Sequence, residues 1–217
     1  MDCVYTFDKR LEGSCTGEED DVCWRGDLIV CDMNTIEAIV NLAKDTDILK
    51  VCVCKIDYSN DEHVLSDEVG CYMFHRQNYD YRFIDVDEHL KASLVQMEAK
   101  GFVLNSQVML KNGRYAHIPL LDFLCEVNDK NTSWIIAGLK MLDLKHGYLM
   151  NSGSSYHFIG SDALCESDYK SLLYHSLLLS TLVDCRWVAH QLINGSSNLR
   201  MGEKNGIVPQ LIKEIDD

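Results

Sequence analysis

The stretch Asn151-Ser152-Gly153-Ser154-Ser155-Tyr156-His157-Phe158 decides how the rest of the chain is read. Residues two apart on a strand share a face, so a strand here would carry the Ser155 hydroxyl and the His157 imidazole side by side. The Ser-Gly-Ser before them reads as a tight turn feeding that strand. Upstream, His117-Ile118-Pro119-Leu120-Leu121-Asp122-Phe123 is an apolar strand ending in an acid. Downstream, Leu182-Val183-Asp184-Cys185-Arg186-Trp187 places a second acid after an apolar run. The order is acid, Ser-x-His, acid, and Asp122, His157 and Asp184 are the candidate chemical residues.

The composition bounds what such a constellation serves. At 217 residues and 47% apolar content, the chain can bury a core without disulfide or metal staples. No apolar run approaches the roughly 18 to 20 residues of a bilayer span. Met1-Asp2-Cys3-Val4-Tyr5-Thr6-Phe7-Asp8 lacks the basic-then-apolar pattern of an export signal. A cytoplasmic protein with no membrane partner is expected, and its ten cysteines read as reduced thiols. Cys52 and Cys54 alternate in a strand pattern and should face the core together. Residues 1–104 hold 10 Lys/Arg against 22 Asp/Glu, and residues 105–217 hold 10 against 12. Autonomous duplex binding, which draws on a basic face, is disfavoured. The acidic front half keeps the protein soluble, docks a basic protein partner or restrains nucleic-acid access.

Periodicity and punctuation suggest an α/β (α+β) protein. A strand at 25–32 follows a polar lead-in, then a capped helix at 34–44 and a strand at 49–56. One or two strands are expected in 69–86 and a helix over 88–100, stopped by Gly101. Next come strand 102–110, an Asn112-Gly113 turn and a long strand 115–127 carrying Asp122. A helix at 131–144, a hairpin of 148–150 with 156–159, and a long Leu-rich buried helix at 167–182 follow. A short helix at 186–193 and a strand at 198–201 close the chain. The charge change suggests an acidic N-terminal α/β region, 1–104, packed on a second region, 105–217, that carries the motifs.

With acid, Ser-x-His and acid in this order and spacing, the chain resembles the archaeo-eukaryotic primase superfamily, the primase-polymerases, and is similar to a short bacterial member. The resemblance runs over residues 113–202. It implies a core of a mixed sheet flanked by helices, with Asp122 as the first-motif acid and Asp184 as the third-motif acid of a metal site for Mg²⁺ or Mn²⁺. Ser155 and His157 would then grip the phosphates of a nucleoside triphosphate, and Arg200 in Ser196-Ser197-Asn198-Leu199-Arg200 would point at the nucleotide. Arg186 is a further candidate nucleotide contact, with packing under the hairpin as its alternative.

The family's first motif carries acids at i and i+2, and here i+2 is Leu124. Glu126 shares the face of Asp122 but lies about 13 Å further along a strand. Asp85 and Asp87 do have the i, i+2 spacing, but they read better as the cap and first-turn charges of the helix after them. The implied activity is that of a primase-polymerase nucleotidyltransferase, extending a primer or acting on single-stranded nucleic acid. The alternatives are a catalytically lapsed primase-fold interaction subunit and, less favoured, a phosphodiesterase or nuclease using the same acids.

Overall fold

The computed structural model describes residues 33–55, 80–98, 102–202 and 207–216. The strand expected at 25–32 and most of the 69–86 segment lie outside the described residues. Within them, five helices and nine strands form two antiparallel sheets. The elements are α1 (Thr35–Lys44), β1 (Ile48–Lys55), β2 (Asp80–Asp85), α2 (Leu90–Glu98), β3 (Phe102–Leu110), β4 (Tyr115–His117), β5 (Leu120–Asp122), α3 (Asp129–Met141), β6 (His146–Asn151), β7 (Tyr156–Gly160), α4 (Glu166–Ser176), α5 (Cys185–Asn194), β8 (Asn198–Arg200) and β9 (Gln210–Asp216). No helix among the described residues is long and apolar enough to cross a membrane.

The first sheet runs β2-β1-β3-β4, with β8 also pairing β3. The second runs β5-β7-β6-β9. The α+β class holds, but the single mixed sheet expected is replaced by two sheets in which every described pair is antiparallel. Tight turns explain part of this, because strands joined by a few residues can only return antiparallel. At the Asn112-Gly113 turn, Gly113 takes φ +81° and the Leu110 N–H donates to the Arg114 carbonyl at 2.9 Å.

Local signals match local structure where a named side chain carries them. Asn34 and Glu37 form a reciprocal capping box on α1. Asn128 caps α3, accepting from the Asn131 N–H. Cys52 and Cys54 are both buried in β1, and burial pushes both thiols up to about 12. The Leu-rich helix differs from expectation: α4 stops at Ser176, and Leu177–Leu179 form a 3₁₀ turn on which Leu178 is 81% exposed. The strand β9 carried no assignment from the sequence. It is held by β6 and by the Leu211 N–H donating to the Met33 carbonyl.

The expected long strand 115–127 breaks at Ile118-Pro119, because its two halves belong to different sheets. Proline has no N–H to give a ladder, so it suits such a corner. The corner is clamped from both sides. The Ile118 N–H donates to the Ser106 carbonyl and the Gly160 N–H to the Pro119 carbonyl, each at 2.8 Å. A side chain on Gly160 would meet the Pro119 ring at 2.8 Å, so β7 passes there only as glycine. One apolar cluster runs from Ile36 in α1 to Ile215 in β9. The change in charge at 104/105 falls inside β3, which pairs β1 on one edge and β4 and β8 on the other.

A buried polar knot fastens this corner to α4. The His117 ring stacks on Tyr169 with centroids 4.1 Å apart, and its Nδ1 lies 3.0 Å from Ser106 Oγ. Ser106 Oγ also accepts from the Ser197 N–H, and Tyr169 Oη bonds Ser197 Oγ. Burial holds the His117 pKa below its usual 6.5, with Glu166 opposing it and Lys170 adding to it, both to a smaller extent. Below pH 6.5 the unfolded chain therefore takes up a proton that the folded chain accepts only at lower pH, and stability falls with acid. Denaturant titrations from about pH 7 to about pH 5 should show a steeper loss in wild type than in His117→Gln. Equal slopes would contradict the assignment.

Candidate functional site

Strand β5 is paired on both edges, and this assembles the site. On one edge β7 sets Asp122 opposite His157, with the Phe123 N–H donating to the Tyr156 carbonyl at 3.0 Å. On the other edge the segment before α5 joins it through the Phe123 and Val183 bridge. There the Leu124 N–H donates to the Leu182 carbonyl at 2.7 Å and the Asp184 N–H to the Asp122 carbonyl at 3.0 Å. Directly opposed residues of antiparallel segments share a face, with Cα atoms about 4.5 to 5.5 Å apart. His157, Asp122 and Asp184 thus stand in one row across three adjacent backbone segments.

Within that row, His157 Nε2 lies 3.5 Å from Asp122 Oδ1. His157 is buried and the Asp122 side chain is 25% exposed, so the row opens to solvent at its acidic part. Asp184 is the N-cap of α5, its Oδ1 accepting from the Arg186 and Trp187 N–H groups at 3.0 Å each. Arg186 lies exposed in the first turn of that helix. Burial and the Arg186 guanidinium hold His190, one turn on, below its ordinary value, while Asp184 opposes them.

Ser155 and Arg200 each bond Ser152 of the β6–β7 turn. Strand β7 begins at Tyr156, and Ser155 is the last residue of the turn before it. Its Oγ is 3.2 Å from Ser152 Oγ, and its carbonyl accepts from the Ser152 N–H. The Arg200 guanidinium donates to the Ser152 carbonyl at 2.6 Å, to the Ile207 carbonyl at 3.2 Å and to the Gly202 carbonyl. Those three bonds tie the turn to β8 and to the start of the closing segment.

The remaining acids fall elsewhere. Leu124 is past the end of β5 and 68% exposed. Glu126 is also past that end, where strand periodicity no longer applies; its carbonyl accepts from the Asn128 and Asn131 side chains entering α3. Asp85 pairs with Lys50 at 2.9 Å at the outer edge of the first sheet, and Asp87 accepts from the His89 N–H at the start of α2. Neither belongs to the row.

Two supports escaped the sequence reading. Tyr156, next to His157 and on the opposite face of β7, is fully buried, and its Oη donates to the Asn128 carbonyl at 2.9 Å. The same oxygen accepts from the Asn128 N–H and lies 2.9 Å from Thr132 Oγ1, fixing α3 to the site strand. Asn128, a good capping residue just before a helical run, was the available signal. The Ser106–His117 knot had none, since its members are 11 residues apart or more along the chain.

A hard divalent cation takes carboxylate oxygens, and Asp122 and Asp184 offer two such groups on one face. One oxygen of Asp184 already serves the helix cap. Among the described residues no group of three or more His, Cys, Asp or Glu side chains is arranged to hold a metal ion. The chemistry of this donor set suits one cation completed by outside ligands better than a pair. The dual role of Asp184 separates by substitution. Asp184→Asn keeps a good cap and should leave stability within about 0.5 kcal/mol, whereas Asp184→Ala should lose about 1 kcal/mol in denaturant titrations. Equal losses would show that the carboxylate charge, not the cap, supports α5.

The family model for archaeo-eukaryotic primase 1D-like proteins matches residues 86–213. No curated protein and no solved structure matches the chain. The matched span covers more than half of the 217 residues and includes Asp122, Ser155, His157, Asp184, Arg186 and Arg200. The chain belongs to the archaeo-eukaryotic primase 1D-like family.

Proposed function

We propose that this primase-fold protein binds a nucleoside triphosphate with one divalent cation, Mg²⁺ or Mn²⁺, at the row of His157, Asp122 and Asp184. The reading is that of a nucleotidyltransferase-like protein of the primase-polymerase type. The observation that carries it is the register, which brings an imidazole and two carboxylates from distant parts of the chain onto one face. A buried imidazole beside a carboxylate is oriented to present a proton or hydrogen bond to a phosphate oxygen. Arg186, in the first turn of the helix that Asp184 caps, and Ser155, two residues before His157, would add contacts to the triphosphate. Arg200 then acts by holding the Ser152–Ser155 turn in place, as a positioning residue. Asp122 and Asp184 would hold the cation, which when bound neutralises phosphate charge.

In this reading the acceptor is a primer end or another single-stranded nucleic-acid hydroxyl. A second reading has a specific observation in its favour: Leu124 stands where the family carries an acid, and Asp184 spends an oxygen on its helix. A lapsed primase-fold subunit that retains the pocket and serves a protein partner through its acidic front half fits both facts.

Thermal stability with GTP or dGTP plus Mn²⁺ tests the pocket. Ligand at a hundredfold excess over its Kd should raise wild-type stability by about 2.7 kcal/mol, and the shift should vanish in His157→Ala and Asp122→Asn. No shift in wild type would contradict both readings of the pocket. Primer extension then separates them: extension dependent on Asp122 supports the transferase, and binding without extension supports the lapsed subunit.

A further inference from the structure

At the far end of the β6–β7 hairpin from the Ser152–Ser155 turn lies a cleft of about 410 Å³ between the end of α3, α4 and the 3₁₀ turn. Much of its lining is aliphatic, with Ser171 and His175 beside it. Leu172 and Leu179 lie inside it, while Met141 and Leu178 stand at its mouth, 79% and 81% exposed. Trp134, seven residues before Met141 and so on the same face of α3, is 52% exposed and carries the Lys130 ammonium over its ring, 4.6 Å from the centroid. Leu179 reaches the helix because Gly138 leaves room, its side chain coming to 3.0 Å of where a Cβ would be. Aliphatic groups this exposed and this close together mark an interaction surface.

The edge of the cleft fixes the chemistry of what covers it. Asp143, Asp162 and Asp168 line it; Asp143 is paired with Lys145 at 2.9 Å. Asp162 is also a wall of an adjoining cleft of about 360 Å³ that contains Asp45, Glu214 and Asp216. His146 stands in that second cleft, 3.6 Å from Asp162 and 3.7 Å from Asp216. The two clefts share Asp162 and are taken together as one trough, largely aliphatic in its first part, with aspartates at its edge and further acids in its second part. A nucleic acid or an anionic bilayer is repelled by such a rim. A second copy meeting it about a two-fold axis would set acid against acid.

We infer that this trough docks a basic amphipathic helix of a partner protein, its Leu-like side chains entering the apolar cleft and its Lys or Arg side chains meeting Asp162, Asp168 and the acids beyond. Helix-in-groove recognition needs this combination of an aliphatic slot and charged margins. The inference is independent of the nucleotide reading, since no residue of the row lines the trough.

The test titrates the full chain into a fluorescein-labelled synthetic peptide of Leu and Lys at helical spacing, with its Leu/Glu counterpart as control, and follows anisotropy. The Leu/Lys peptide should bind saturably, the Leu/Glu peptide should not, and added salt should weaken binding. The double variant Met141→Ser/Leu178→Ser should bind roughly tenfold more weakly. Both side chains are exposed, so the fold should tolerate the change. Asp162→Asn/Asp168→Asn should also bind more weakly and respond less to salt. Unchanged binding by the Ser variant would overturn the proposal, leaving only general attraction to an acidic protein. Equal binding of the Leu/Glu peptide would overturn it too. So would sedimentation showing a wild-type dimer that the Ser variant dissociates, which would make a second copy the occupant.

Discussion

Backbone pairing along both edges of the short strand β5 is the constraint on which the rest of the site depends. One edge meets β7 and the other meets the residues leading into α5, so three segments far apart in sequence deliver His157, Asp122 and Asp184 to a common face. Register is unforgiving here, because a slip of one residue would turn each side chain to the opposite face. The molecule spends several interactions on preventing that slip. Pro119 and Gly160 lock the corner before β5, Tyr156 anchors β7 to α3, and Asp184 caps the helix that follows its own strand-like segment. Leu121 and Phe158, paired across the same two strands, are fully buried and fill the opposite face.

This arrangement gives the carboxylates unequal freedom. Asp122 faces His157 and partly reaches solvent, while Asp184 divides its capacity between the helix cap and the open face. Under the proposed function, one adaptable carboxylate and one partly committed carboxylate would hold a phosphate-bearing ligand through a single cation and the side chains around it. The site is poorly furnished for two cations held about 4 Å apart, the arrangement that in-line transfer between phosphates favours. The exposed Leu124 marks the place where that furnishing stops.

Much of the fold was legible wherever the signal was local. Asn34 with Glu37, Asn112-Gly113 and the strand Phe102–Leu110 each announced an element within a few residues of its observed bounds. The order of acid, Ser-x-His and acid likewise announced which segments would converge. What escaped reading was set by distant partners. The strand expected from 115 to 127 has apolar content throughout, and only the membership of its halves in two sheets breaks it at Pro119. Ser155 obeys the strand period in sequence and is the last residue of the turn, one before β7 begins. Leu178 looked like core because its neighbours are leucines, but the 3₁₀ turn rotates it outward. Arg200 was read as a nucleotide contact, and the carbonyls it meets come from loops whose approach no local pattern encodes.

The central claim is that the row of His157, Asp122 and Asp184 is where a nucleotide and its cation bind. Paramagnetic broadening of backbone amide resonances by substoichiometric Mn²⁺ in the presence of GTP tests it most directly, because the effect falls steeply with distance from the ion. The account predicts that signals of Asp122, Phe123, Tyr156, His157 and Asp184 broaden first, and that those of Asp45, Glu214 and Asp216 persist. Broadening centred on the acidic trough, or none at the row while GTP is present in excess, would contradict it.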